Sequence, residues 1–321
     1  MRFAKSCHAC YGIFSILQRK NALKSHIALS VVLFSFQVTA EEALSFSGQI
    51  ELGYGYDSNV SVDDVDLNTS IGDRFADIQL SAETSYKAQN NLEFAANLTI
   101  SEKMYDSFNE FDGLLTLASL SANKEIGNLE FGFSAVHIDY KLDRAGFLKI
   151  TQLSPTVGWF YQKQIYLQLA YGRSDESYKQ ESDRDNSRDE IRASFYYFLN
   201  GLREYFSIQV GISKEAADAK VFNNEVRQIE VSYFNRINIL SRDSTLKLAY
   251  LHQERDYKKS INSMIGDFRE DRRRRYEIAL ITPIKAPWSL TSKIIYNDYE
   301  SNLTLSDYIQ KIYQITLKYD F

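Results

Sequence analysis

The chain has few of the residues that thiol chemistry and sharp turns require. It holds two cysteines and three prolines among 321 residues. Both cysteines, Cys7 and Cys10, lie in the first forty residues, and their C-x-x-C spacing would otherwise suggest redox or metal chemistry. Beyond residue 40, no uninterrupted apolar run reaches the ~20 residues that a membrane-spanning helix needs. That part of the chain therefore excludes disulfide scaffolds, thiolate metal sites and helical membrane spans.

The first forty residues predict a secretory signal peptide. Five basic residues and no acidic residue occur there, followed by an apolar run from Ile27 to Phe36 and a small residue, Ala40, before Glu41. We therefore divide the chain into a signal peptide, 1–40, and a barrel domain, 41–321. Cleavage after Ala40 leaves 32 basic residues against 42 acidic ones, a formal net charge of −10. This charge argues against nucleic acid as a partner.

What the domain does contain is aromatic residues in alternating patterns. The chain has 22 Tyr and 20 Phe. Stretches such as 46–56, 92–100 and 206–212 alternate apolar and polar residues, which is the period of a strand with one apolar face. Fourteen segments are predicted as strands: 43–56, 74–87, 92–104, 113–124, 129–141, 149–162, 165–174, 189–199, 204–214, 225–237, 244–255, 273–282, 288–299 and 308–321.

Alternation alone fits both a soluble β-sandwich and a membrane barrel, but the connections favour the barrel. Short connections alternate with long ones at 57–73, 105–112, 142–148, 175–188, 215–224, 256–272 and 300–307. Short periplasmic turns and longer extracellular loops are typical of outer-membrane barrels. The sequence therefore predicts an all-β fold, a transmembrane antiparallel up-and-down β-barrel of about 14 strands, in the outer membrane of a Gram-negative bacterium. We expect two of the longer loops, 175–188 and 256–270, to be the most able to plug its lumen.

The end of the chain supports the same prediction. Residues 313–321 alternate strictly and finish on Phe321, two residues after Tyr319. A terminal aromatic residue closing such a strand resembles the assembly signal of bacterial outer-membrane β-barrels. We expect Tyr319 and Phe321 to be this signal, read by the barrel-assembly machinery.

Three segments fit the pattern poorly, and strand counts of 12 and 16 are therefore alternatives to 14. One of them, 186–190, is too charged to show where the next strand begins. Segment 113–124 carries leucines on both faces, at Leu114, Leu115, Leu117 and Leu120. Pro155 lies inside a predicted strand, which predicts a bulge or a displaced strand start because proline cannot donate to the ladder.

Charged residues on the polar face of the strands are predicted to line the lumen. Early strands contribute acids and later strands contribute bases, and opposed walls of this kind set ion selectivity in pores. A lumen that needs both signs only for solubility is an equal alternative. The predicted lumen-lining residues are Glu51, Asp77, Glu83, Glu93, Glu130, Arg192, Lys247, Arg273, Arg275, Lys293 and Lys318.

Three further clusters were weighed as sites. His137 and Asp139 share a strand face near the outer rim, but the flanking sequence matches no rim hydrolase, so we expect a solvated pair. The acidic loop 57–73 departs from the EF-hand pattern at Thr69. Arg269 and the run Arg272–Arg275 suit lipopolysaccharide phosphates, and a purely structural basic rim is an equal alternative. We therefore expect no enzyme activity and no catalytic, metal or cofactor residues; outer-membrane lipid and lipopolysaccharide are the expected surroundings.

A family resemblance rests on the end of the first strand. Gly53-Tyr54-Gly55-Tyr56-Asp57-Ser58-Asn59-Val60, followed by about thirteen more strands and a final aromatic residue, resembles the barrel domain of the surface lipoprotein assembly modifier family, without its tetratricopeptide domain. The resemblance implies a fourteen-stranded barrel that helps lipoproteins to reach the cell surface. The function expected is therefore a conduit for a small solute or an exported component. The alternatives are surface lipoprotein assembly or loop-mediated surface binding without conductance.

Overall fold

The computed structural model describes residues 44–62, 65–239 and 241–321. Fourteen long strands form one closed barrel, and two short strands, β2 and β3, form a hairpin inside the first outer loop. The predicted signal peptide lies outside the described residues. The strands are β1 (Leu44–Asp57), β2 (Ser61–Val62), β3 (Leu67–Asn68), β4 (Asp73–Ala88), β5 (Leu92–Tyr105), β6 (Gly113–Ile126), β7 (Leu129–Leu142), β8 (Ala145–Tyr161), β9 (Ile165–Tyr178), β10 (Asn186–Phe198), β11 (Glu204–Ala217), β12 (Asn224–Ile239), β13 (Arg242–Asn262), β14 (Asp267–Lys285), β15 (Trp288–Ser301) and β16 (Tyr308–Asp320).

Each barrel strand pairs antiparallel with its neighbours along the chain, and β1 pairs with β16 to close the ring. The predicted fold class and strand number are confirmed. Closure leaves no free sheet edge, so every strand in the ring has a hydrogen-bonded neighbour on both sides.

At the closing seam, the last residue of the chain packs against a glycine. Gly48 and Phe321 exchange two backbone hydrogen bonds of 2.8 Å each, so the last residue extends the seam. The Phe321 ring lies over Gly48, where a Cβ atom would come within 2.4 Å of the ring. Tyr319 packs beside Phe321 with ring centroids 6.1 Å apart. A side chain at position 48 would therefore have to displace the Phe321 ring; the role of the two aromatic residues in assembly stays a prediction.

The exterior of the barrel is apolar and the interior is polar. Leu52, Leu98, Leu169 and Ile315 are among many large apolar side chains exposed on the outer face. In a soluble protein such a belt would have to be covered, whereas in a membrane barrel it contacts lipid. Aromatic residues lie on this outer face near the periplasmic end: Trp159, Tyr161, Tyr197, Phe206, Trp288 and Tyr319.

The fourteen predicted segments all coincide with barrel strands, but several strands continue further outward than predicted. β9 ends at Tyr178, β13 ends at Asn262 and β14 begins at Asp267. The outer loops predicted at 142–148 and 256–272 are therefore only the short turns 143–144 and 263–266, and the loop predicted at 175–188 is shortened to 179–185. The expected plug 256–270 does not exist as a loop, whereas 179–185 of the other does and carries Arg184 at the mouth. These strand ends carry mostly polar side chains on both faces, so alternation does not mark them, and ladder hydrogen bonds extend them without an apolar face.

In the part of the chain that the structure describes, five short 3-10 turns lie in the connections, at Gln89–Asn91, Asn109–Phe111, Ser182–Arg184, Lys220–Phe222 and Thr304–Ser306. Within the described ranges, no helix is long and apolar enough to cross a membrane.

Pro155 is accommodated without the bulge predicted for it. Pairing of β8 with β9 omits Ser154 and Pro155 and resumes at Thr156 opposite Ala170, in the same register as before the gap. On its other side, Pro155 stays opposite Phe133 of β7. The missing N–H donor therefore costs one rung of the ladder and does not shift the strand.

The leucines on both faces of β6 have a structural explanation. Leu115 and Leu117 pair with Ser101 and Thr99, whose side chains face the interior. On β7, Leu117 faces Ile138. This segment of the inner wall is therefore apolar where Leu117 and Ile138 meet.

Candidate functional site

The outer mouth of the barrel is crossed by residues 58–72, which we call the cap loop. Its base is Asp57 at the end of β1, whose side chain is only 1% exposed. The Asp57 carboxylate accepts hydrogen bonds from the Tyr105 hydroxyl and the Gln310 amide, both at 3.0 Å, and from the Asn59 backbone N–H at 3.1 Å. A buried carboxylate is stable only with such donors, so Asp57 fixes the direction in which the loop leaves the strand.

Apolar packing then carries the cap loop across the lumen. Val60 is fully buried against Phe75 and Tyr105, close to its own end of the loop. Val65 packs against Leu148 of β8 and Tyr178 of β9. Because β8 lies five strands away from β1 around the ring, the loop spans the mouth.

Asp66 ties the far end of the cap loop to the barrel wall. It accepts two hydrogen bonds from Arg269 of β14, at 3.0 and 2.6 Å. Arg184 of the β9–β10 connection donates a third at 3.0 Å, and the Ser306 hydroxyl donates a fourth at 2.8 Å. Burial alone would raise the pKa of Asp66, but the bonds and charge of Arg269, with those of Arg184 and Ser306, lower it to about 2.

Other loops join the same network. The Arg184 guanidinium lies 4.2 Å from the ring centroid of Phe222, in the β11–β12 connection. Asn68 in the cap loop donates to the Leu305 carbonyl in the β15–β16 connection at 2.6 Å. Four outer connections are therefore held together over the mouth, with Asp66 at their centre.

The acidic loop 57–73, compared above with an EF-hand calcium site, contributes its carboxylates to this network. Asp73 accepts from the backbone N–H groups of Ser107 and Phe108, at 2.6 and 3.2 Å. Asp57 and Asp66 are engaged as described, and Asp63 and Asp64 lie outside the described residues. In the described part of the chain, no group of three or more His, Cys, Asp or Glu side chains is placed to hold a metal ion.

The pairing register places all eleven predicted lumen-lining residues on the interior face. The acids lie on β1, β4, β5 and β7, and the bases on β10 and on β13 to β16. Their effect on ion selectivity stays a prediction. The acids are Glu51, Asp77, Glu83, Glu93 and Glu130, and the bases are Arg192, Lys247, Arg273, Arg275, Lys293 and Lys318.

The basic wall also carries acids, of which Glu277 interrupts the separation of charge already in the sequence. Arg188 lies between Glu176 and Glu215, at 3.2 and 2.8 Å. Glu277 lies between Lys247 and Arg275, at 2.8 and 2.7 Å. These pairs compensate much of the positive charge. The alternation that would have revealed Glu176 and Arg188 was obscured because both were assigned to a loop.

Neither of the two other candidate clusters is gathered on the lumen side. His137 and Asp139 lie on the exterior; His137 Nδ1 is 3.0 Å from the Thr151 hydroxyl, and Asp139 forms an ion pair with Lys149 at 3.3 Å. The arginine run is divided by the period of the strand. Arg269, Arg273 and Arg275 face the interior, whereas Arg272 and Arg274 face outward and pair with acids of β15.

A closed antiparallel barrel with an apolar belt, a charged lumen and a folded-in loop defines the chain as an outer-membrane β-barrel of the Gram-negative type. No family model matches the chain, and no curated relative matches it.

Solved structures that share the fold include three outer-membrane proteins. The channel DcaP of Acinetobacter baumannii is 12% identical with a TM-score of 0.56, covering 88% of this chain and 99% of that one. OmpT of Vibrio cholerae is 9% identical with a TM-score of 0.53, covering 88% and 99%. An anion-selective porin from Comamonas acidovorans is 8% identical with a TM-score of 0.52, covering 87% and 99%. At these identities the likeness concerns the fold alone.

Proposed function

We propose that the protein is an outer-membrane channel for polar solutes whose outer mouth is closed by the cap loop. The observation that carries the proposal is the arrangement of the interior. Charged side chains line the wall from the periplasmic end up to the cap loop, and the cap loop closes the mouth through contacts that centre on one carboxylate, Asp66. Charged linings suit a water-filled passage and are costly in a sealed apolar one.

Conductance across planar bilayers tests this proposal. We expect the wild-type barrel to conduct weakly and Asp66→Ala to conduct several times more, because Arg269 and Arg184 lose their shared partner. Replacement of residues 61–68 by a short Gly-Ser linker should give the largest conductance. Asp183→Asn removes the same charge from an exposed position of the neighbouring connection and is the matched control, which should behave as wild type.

Two results would overturn the proposal that the barrel is a channel. If wild type, Asp66→Ala and the linker variant are all silent although each shows the gel shift of a folded barrel, the interior is not a passage. If Asp183→Asn opens the barrel as much as Asp66→Ala does, general charge at the mouth matters and the Asp66 contacts do not.

A second function is favoured by the joining of four outer connections into one surface. Such a surface suits loop-mediated binding of a partner without conductance, and the silent outcome would favour it. The resemblance of residues 53–60 to the surface lipoprotein assembly modifier family supplies a third hypothesis, with a lipoprotein as the partner. In this structure, those residues form the base of the cap loop: Gly55 leaves room for Phe75, and Asn59 accepts the Ser70 N–H at 2.9 Å.

A further inference from the structure

A row of aromatic side chains crosses the inner wall near the periplasmic end, from β8 to β12. Centroids of successive rings are 4.3, 5.8, 6.4, 5.7 and 4.6 Å apart, so each ring contacts the next. The ammonium of Lys247 on β13 lies 6.0 Å from the last ring. This aromatic row consists of Phe160, Tyr166, Tyr196, Phe198, Tyr205 and Phe234.

The row faces the lumen and does not belong to the lipid-facing girdle. Tyr205 pairs with Phe234 and Phe198, and Phe234 pairs in turn with Lys247, whose partner Glu277 is interior. The neighbouring residues Phe206 and Tyr233 point to the opposite face because successive strand residues alternate. Consecutive aromatic residues at these strand ends therefore supply one ring to the lipid belt and one to the lumen.

Polar groups line the same surface. A recess of about 270 Å³ is bounded by three rings of the row and by several polar side chains. At the other end of the row, the Tyr166 hydroxyl lies 3.4 Å from the Glu130 carboxylate and accepts from Gln168 at 3.2 Å. The polar side chains of the recess include Gln209, Glu230 and Lys247.

We propose that the aromatic row binds a saccharide chain passing the periplasmic end of the barrel. This inference rests on the proposed function, because it names the class of solute that the channel takes. Sugar rings present C–H bonds on their faces and hydroxyl groups on their edges. The C–H faces suit the negative faces of aromatic rings, and the hydroxyls suit carboxylate, amide and ammonium groups beside them.

The course of the row fits a chain better than a single small molecule. Barrel strands tilt by ~35–45° from the axis, so a row of residues paired across strands climbs obliquely along the wall. Each step between rings is comparable in length to one sugar unit. A purely apolar chain, such as an acyl group, would leave Glu230, Gln209 and Lys247 without hydrogen-bonding partners on the ligand, which disfavours it.

Calorimetric titration of the full barrel in detergent with cellopentaose tests the proposal. Cellopentaose is flat, neutral and soluble, and it presents C–H faces on both sides. We expect wild type to bind it, and Tyr205→Ala and Phe234→Ala each to weaken binding at least fivefold, a loss of about 1 kcal/mol. The matched controls Phe206→Ala and Tyr233→Ala remove rings from the lipid face of the same strands and should change affinity less than twofold.

Three outcomes would overturn the proposal. The first is no binding by folded wild type at about 10 mM cellopentaose, where millimolar affinity is measurable. The second is equal loss in the row variants and the lipid-face controls. The third is row-dependent binding of decanoate in place of cellopentaose. Calorimetry does not depend on conductance. Loss of saccharide binding in this titration and absence of conductance in bilayers are therefore separate results.

Discussion

The two ends of the lumen are built differently although the same fourteen strands form both. At the outer end, the cap loop and its contacts bury apolar and charged groups alike: Val60 is 0% and Asp57 1% exposed. At the periplasmic end, interior side chains stay open; Phe160 is 39% exposed, and the side chain of Lys87 is 71% exposed. One end is a sealed network, and the other is an open surface.

The difference follows from the connections. Periplasmic turns such as 89–91 and 127–128 are too short to reach across the lumen, so side chains alone shape that end. The cap loop is long enough to cross, and two distant arginines hold it in place. Closure can therefore change at the outer end while the periplasmic wall keeps its structure.

The largest effect is expected from breaking the apolar anchor of the cap loop. Val60→Asp buries a carboxylate among Phe75 and Tyr105, which costs roughly 3–5 kcal/mol when no partner exists. We expect the loop to leave the mouth and to become cleavable by protease on intact cells. Leu67→Asp, at a position 49% exposed, is the control and should stay protected. Protection of Val60→Asp would show that the cap loop is held without this packing.

The second-largest effect tests which face of the strands contacts lipid and which faces the lumen. Val210 is 45% exposed on the outer face midway along β11, and its neighbour Gln209 faces the lumen. Val210→Arg should cost about 2–4 kcal/mol, the cost of arginine facing lipid near the bilayer midplane. Gln209→Arg should be tolerated. Urea titration of the barrels in vesicles measures both, and equal costs would contradict the assignment of faces.

A smaller effect is expected when the pH is lowered, and it should arise only at the outer end of the barrel. The pKa of Asp66 is lowered to about 2 from its ordinary 3.8, so its contribution to closure is fully present above about pH 4. It should be lost as pH falls through about 2, and its size is about 2 kcal/mol. Wild-type conductance should thus be flat from pH 8 to pH 4 and rise below pH 3. Asp66→Asn should lack this rise; an unchanged rise would assign it to another group.

The smallest effect is expected when the periplasmic end is mutated and the outer end is measured. Tyr205→Ala and Phe234→Ala should leave protease protection of the cap loop within about 0.5 kcal/mol of wild type, because they share no contact with it and distant sites act additively. Protection lowered by more than this would show that the two ends are coupled.

The strands of this protein are readable in its sequence because their signal is local. A period of two along 92–100 or 206–212 needs no knowledge of neighbouring strands. The same rule failed at the outer ends of β9, β13 and β14, where polar side chains predominate on both faces and no regular alternation marks the strand. It also could not explain Leu117, because Ile138, the apolar residue opposite it, lies on another strand.

Tertiary structure alone decided what fills and lines the lumen. Asp66 meets Arg184 and Arg269, which are 118 and 203 residues away in the chain, only because ring closure and register bring β1, β9 and β14 to one mouth. Doublets such as Tyr205-Phe206 indicate aromatic strand ends but do not say which ring faces lipid. Strand number and pairing register fix that choice, since a shift of one residue would exchange the two faces.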